Sequence, residues 1–153
     1  MTSPARTSLV AAVVAAVLGG GIAYEAIATA PVRGALRVFT GLVMLGNRLD
    51  LPQEERLTKA RALCSSRYLA TRPLSLSSEG GIKGVPRAID KNYQAWREGP
   101  NVWICPTKRD SSVRPVYQFV REGGHWRFDG PVAILRPGGE VVPTSELPSL
   151  DTS

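Results

Sequence analysis

The sequence predicts an α+β domain behind an apolar N-terminal segment, and three observations carry that reading. An uncharged run from Thr7 to Tyr24 differs in composition from everything after it. Two stretches with helical spacing of apolar residues follow, between residue 31 and about residue 70. Beyond Val85 the texture changes to short apolar runs bounded by Gly and Pro, the pattern of an antiparallel sheet. The 153 residues then divide into a signal anchor or signal peptide at 1–30, one α+β domain at 31–142 and a disordered tail at 143–153.

The 18 residues from Thr7 to Tyr24 would make a helix of about 27 Å, the lower limit for crossing a bilayer core. Arg6, the apolar stretch Leu9 to Leu18 and Ala26-Ile27-Ala28 fit a cleaved signal peptide. The same residues fit an uncleaved anchor with Tyr24 and Glu25 at the far interface. The length favours the anchor, and both readings export the body. The expected location is therefore the membrane, single-pass with an extracytoplasmic C-terminal domain; the alternative is secretion.

Pro31 to Gly46 reads as an amphipathic helix, with Val32, Leu36, Phe39 and Val43 on one stripe and Arg33, Arg37 and Thr40 elsewhere. Pro31 suits its first turn and Gly46-Asn47 its end. A second helix is expected from Gln53 to about Ala70, opened by Asp50 and Pro52 with Glu54 and Glu55 in the first turn. Leu57, Ala60, Cys64 and Tyr68 form its buried stripe, while Arg56, Lys59 and Arg67 decorate another side. Arg72-Pro73 ends it. Leu74 to Gly84 is a Ser/Gly-rich connection, the least ordered part of the body.

In the β half, Asn101 to Cys105 is a short apolar run between Gly99-Pro100 and Pro106, hence a buried strand. Val116 to Glu122, the turn Gly123-Gly124 and His125 to Asp129 form a hairpin, because a tight primed turn needs the positive φ that Gly adopts freely. Phe119 then faces Phe128 and Arg121 faces Trp126 on one sheet face, each pair worth roughly 0.5 to 1 kcal/mol. Val132 to Leu135, a Pro137-Gly138 turn and Glu140 to Val142 supply a further hairpin. Residues 87–98 fit a helix through Ile89, Tyr93 and Trp96 or a strand from Tyr93 to Glu98 pairing with Asn101 to Cys105; the strand is preferred.

The helix pair, Ala35-Leu36-Arg37-Val38-Phe39 to Cys64-Ser65-Ser66-Arg67-Tyr68-Leu69, and the hairpin Gly123-Gly124-His125-Trp126-Arg127-Phe128 resemble the nuclear-transport-factor-two-like (cystatin-like) cone. The likeness covers roughly residues 31–142 and is one of pattern. It implies a strongly curved sheet wrapped around helices, with a possible pocket and no particular chemistry, since the group spans isomerases, cyclases and domains without activity.

Candidate residues follow. In an exported domain an even Cys count favours a bridge, so Cys64 and Cys105 are expected to form a disulfide pinning helix to sheet. Tyr93, Trp96, Trp103, Tyr117, Phe119, Trp126 and Phe128 are concentrated in the β half; most must pack the core, and some would line any cone-shaped pocket. Asp90 and Asp129 are the carboxylates nearest them, although Asp129 before Gly130-Pro131 suits a turn. His125 at the hairpin tip is expected in solvent, with Glu122 opposite it as a cross-strand pair.

With His125 as the lone histidine and two cysteines, neither a two-histidine metal site nor a four-thiolate zinc site can form. The phosphate-loop, dinucleotide and HExxH motifs are missing from the sequence. No metal, cofactor or catalytic set is therefore assigned. The net charge is +6, and residues 31–142 hold 18 Lys plus Arg against 10 Asp plus Glu. These basic residues are dispersed and lack the aromatic interleaving of single-strand readers, so nucleic acid is not expected as a partner. Anionic headgroups or wall polymers suit the charge better.

The resulting expectation is a membrane-tethered extracytoplasmic interaction or ligand-holding module of the cell envelope, without catalysis, meeting a protein or small-molecule ligand. The alternative is an exported pocket enzyme using Asp90 or Asp129 with Tyr93 or Tyr117 for proton transfer. Replacing Val13 and Val14 with Arg should keep the chain in the cytoplasm, because each mid-helix charge opposes insertion by roughly 2.5 to 3.5 kcal/mol. Cell fractionation checks this, and undiminished membrane association would refute it.

Overall fold

The computed structural model describes residues 29–89, 91–106 and 113–146. The run 7–24, the Ala26-Ile27-Ala28 site, Asp90, the loop at 107–112 and the tail from 147 lie outside the described residues. The architecture of the described residues is α+β: three α-helices packed on a curled, antiparallel five-stranded sheet. No helix among the described residues is long and apolar enough to cross a membrane.

Helix α1 (residues 29–47) buries Ala35, Phe39, Leu42 and Val43, the stripe expected from sequence widened by Ala35 and Leu42. The second expected helix is two. Helix α2 (Gln53–Arg61) carries Glu54 and Glu55 at its start and Lys59 and Arg61 at its end, each sign matching the helix dipole. Helix α3 (Ser66–Thr71) begins afresh, capped by Ser65, whose hydroxyl accepts from the Tyr68 amide. The break has a backbone cause: Ser65 N donates to Phe128 O and Phe128 N donates to Leu63 O, both at 2.8 Å. The segment thus forms a parallel bridge, Cys64 to Phe128, with a sheet strand.

Arg56, expected on a solvent-facing side, is instead buried, with Nη1 donating to Gly80 O at 2.8 Å and to Gly46 O at 3.3 Å. It lies one turn before Ala60 on the buried side, and the carbonyls closing α1 supply the partial negative charge it needs. The connection after Arg72 folds back on itself through a Leu76–Ile82 bridge, and Leu74 and Ile82 join the core.

The strands are β1 (Gln94–Glu98), β2 (Asn101–Cys105), β3 (Arg114–Glu122), β4 (His125–Leu135) and β5 (Val141–Pro143), in that spatial order. The strand reading of residues 93–98 holds, with β1 paired to β2. The β3–β4 hairpin has the expected register, Phe119 opposite Phe128 and Arg121 opposite Trp126, over Gly123 and Gly124 at φ +56° and +82°. Farther along, two bulges leave Asp129 and Val132 without a partner on β3 and help curl the sheet. A 3₁₀ turn, Thr144–Glu146, follows β5, with Thr144 Oγ1 donating to Val132 O at 3.0 Å.

The curl is filled. Phe39 of α1 lies 5.2 Å from the Tyr117 ring, 5.3 Å from Phe119 and 6.2 Å from Phe128. Where α1 crosses the hairpin, Gly34 gives room to Trp126: a Cβ there would sit 2.3 Å from Trp126 Cδ1. Trp126 in turn carries the Arg121 guanidinium 5.9 Å from its ring centroid.

Gly34→Ala should therefore destabilise the domain, although the same change in an open helix would stabilise by about 1 kcal/mol. In a Trp126→Ala background it should become stabilising. Denaturant midpoints of the four proteins in this cycle give the coupling, and independence of the two changes would disprove the contact.

Candidate functional site

The seven aromatic side chains expected around a pocket are divided among three places. Tyr117, Phe119 and Phe128 fill the core with Phe39, and Trp126 packs on α1 beside them. Trp96 and Trp103 lie on the opposite face of the sheet, edge to face at 6.0 Å, against Cys105, Val116, Ala133 and Leu135. Tyr93 is 37% exposed beside α1.

The expected disulfide is absent: both cysteines are free and buried. Cys64 belongs to the core between helices and sheet, while Cys105 belongs to the cluster on the other face, so the sheet stands between the sulfurs. Burial pushes the Cys64 thiol up to about 12, against the opposing charge of Arg127, and raises Cys105 as well. Neither is poised as a nucleophile.

Asp129 is the most heavily engaged polar side chain described, and it is not in a turn. The bulge turns it toward the start of α3, where it is 3% exposed. The Ser65 hydroxyl donates to Oδ1. Arg67 donates from Nε to both carboxylate oxygens at 3.1 Å and from Nη2 to Oδ2. Gln118 Nε2 donates to Oδ2 at 2.8 Å, and Gln118 Oε1 accepts from Trp103 Nε1 at 2.9 Å and from Asn101 Nδ2 at 3.4 Å. Burial alone would raise the Asp129 carboxyl, but the bonds from Arg67, Ser65 and Gln118 and the charge of Arg67 outweigh it, and the group titrates below the usual carboxylate range.

A carboxylate so occupied is a poor proton acceptor, because its lone pairs are already taken. Tyr117, one of the two tyrosines expected beside it, points into the core instead, where burial pushes its hydroxyl up to about 12. Tyr93, the other, lines a groove beside α1. Sequence reasoning named Asp129 but missed Ser65, Arg67 and Gln118. A Ser three residues before Tyr68 was a cap signal, whereas the Asp129–Gln118 contact depends on a bulge with no local sequence mark. His125 is exposed at the hairpin tip as expected; Glu122 reaches the Ser66 amide and hydroxyl at 3.1 Å rather than only pairing across the turn.

An open groove of about 330 Å³ runs beside α1, lined by Leu36, Thr40, Val43, Ile89 and Tyr93. On α1 the groove follows the boundary between the two stripes: Val43 belongs to the buried one, Thr40 to the exposed one and half-buried Leu36 lies between. Comparison of the chain with protein-family models, with curated proteins and with solved structures finds no match.

Because the folded-state titration of Asp129 lies below that of a free carboxyl, near 3.9, its stabilising contribution is complete above that value. The contribution is lost as pH falls through the folded value. Asp129→Asn should therefore cost about 2 kcal/mol at neutral pH, since the Arg67 left behind is largely solvated, and flatten the loss of stability below about pH 4. Urea midpoints from pH 2 to 7 measure both, and an unchanged acid limb would contradict the assignment.

Proposed function

We propose that this chain is a membrane-tethered extracytoplasmic interaction module of the cell envelope, whose groove beside α1 holds an apolar ligand or the apolar edge of a partner. The observation that carries the reading is the groove itself. Its roughly 330 Å³ falls at the small end of ligand clefts, about 300 to 1,000 Å³, and four of its five lining residues are apolar or aromatic. Thr40 supplies the polar edge. The tether rests on the uncharged run Thr7 to Tyr24. The scaffold is taken to be of the cone type that the element order resembles, and the curled sheet over helices supports this at the level of architecture.

The rival reading, an exported enzyme working through a carboxylate and a tyrosine, has less behind it. Of the four residues it could use, Asp129 is saturated by Ser65, Arg67 and Gln118 and Tyr117 is enclosed by Phe39 and Phe128, while Asp90 lies outside the described residues and Tyr93 lines the groove.

The groove is tested by methyl NMR of the full chain in lipid nanodiscs, with anilinonaphthalene sulfonate as an apolar probe. Saturable shifts are expected at Leu36, Val43 and Ile89, and Thr40→Trp, which fills the groove from an exposed position, should abolish them without lowering the melting temperature. Shifts confined to other methyls would refute the reading.

A further inference from the structure

The strongest unassigned feature is the exposed face of α1. Arg33, Arg37, Thr40 and Met44 follow one another at helical spacing, and all four are exposed. Met44 is 61% exposed, far more than an apolar side chain of its size needs to be, and Tyr93 stands across the groove from Thr40 and Val43. No Asp or Glu occurs from residue 29 to residue 47. Neither Arg33 nor Arg37 makes an ion pair among the described residues, whereas Arg48, Arg67, Arg87 and Arg136 all do.

We infer that this face docks on an anionic lipid bilayer, with Met44 and Tyr93 entering the headgroup region and Arg33 and Arg37 meeting the lipid phosphates. The inference rests on the tether proposed above, since the described part of α1 starts at residue 29, close in sequence to Tyr24, and so cannot lie far from the membrane that holds the run before it. Charge complementarity selects the occupant: a carboxylate-free helix face with two guanidinium groups that have no ion-pair partner among the described residues suits a surface of phosphates. Each arginine near such a surface strengthens association by about fivefold. An apolar side chain sharing a helix face with cations is the composition of an interfacial helix. Docked this way, the groove opens at the headgroup level, where an apolar ligand would arrive.

The test uses the full chain with Met44→Cys carrying an environment-sensitive fluorophore, and Gly138→Cys as the control. Gly138 has open space around a built Cβ, and the buried native thiols Cys64 and Cys105 do not compete for label. The protein is reconstituted with vesicles of phosphatidylcholine alone or mixed with phosphatidylglycerol. The expected result is flotation with both, a blue shift at position 44 that is much larger with phosphatidylglycerol, and no shift at position 138. Arg33→Glu with Arg37→Glu should abolish the shift while leaving flotation and the melting temperature unchanged. Flotation with no shift at position 44, or an equal shift on both vesicles, overturns the docking and leaves the tether standing. Failure to float with either vesicle overturns the tether, and the docking with it.

Discussion

The long strand β4 imposes the constraint on which the rest of the structure depends. It runs from His125 to Leu135 and is covered by β3 along one edge, but β5 reaches only Ala133 to Leu135 on the other. The amide and carbonyl of Phe128, which is fully buried, would be left without partners. A buried, unpaired peptide group costs as much as a lost hydrogen bond or more. The chain between α2 and α3 supplies Leu63 O and Ser65 N to that edge. One hydrogen-bonding need thus interrupts a helix that local sequence would have continued.

Much of the polar chemistry follows from that interruption. Ser65, placed at the edge by its amide, caps α3 with its hydroxyl oxygen and donates the hydroxyl proton to Asp129. Arg67, the second residue of α3, faces the same carboxylate and also donates to the Asp129 carbonyl at 3.1 Å. Tyr68 lies against Phe128, ring centroids 5.2 Å apart, and occupies the space that a side chain at residue 130 would need. Gly130 therefore answers both to its φ of +93° and to the tyrosine beneath it. The polar cluster fastens helix to sheet.

The parts of the fold legible in the sequence were those set by local pattern. The α1 stripe, the β2 run between prolines and glycines, and the register across Gly123-Gly124 all depend on residues within a few positions of one another. The misread parts depend on partners far away in the chain. Ala62 to Ser65 has nothing that forbids helix; only Phe128 explains its course. Arg56 looks like a surface arginine until the carbonyls of Gly46 and Gly80 close over it. The cysteines gave a reasonable argument from parity, but parity says nothing about faces, and the sheet separates them. The aromatic residues were correctly assigned to the β half, yet which sheet face meets the helices, and so which of them enter the core, is decided by packing against α1 and α3. The groove was the least legible of all, since Ile89 and Tyr93 reach α1 from a stretch whose own conformation was ambiguous.

The two-glycine turn also bears on the order in which the chain folds. Glu122 and His125 are neighbours across a two-residue loop, so the β3–β4 ribbon can close without gathering distant segments. Ser65 and Asp129 are 64 residues apart, and their meeting carries the entropy of a much longer loop. A chain that forms the ribbon first would hold the free edge of β4 open until the helices arrive. An exposed strand edge is a template for other chains. Arg127 and Asp129 flank Phe128 in β4, so the charges that later fasten the end of α2 and the start of α3 also make the waiting strand a poor partner for its own kind.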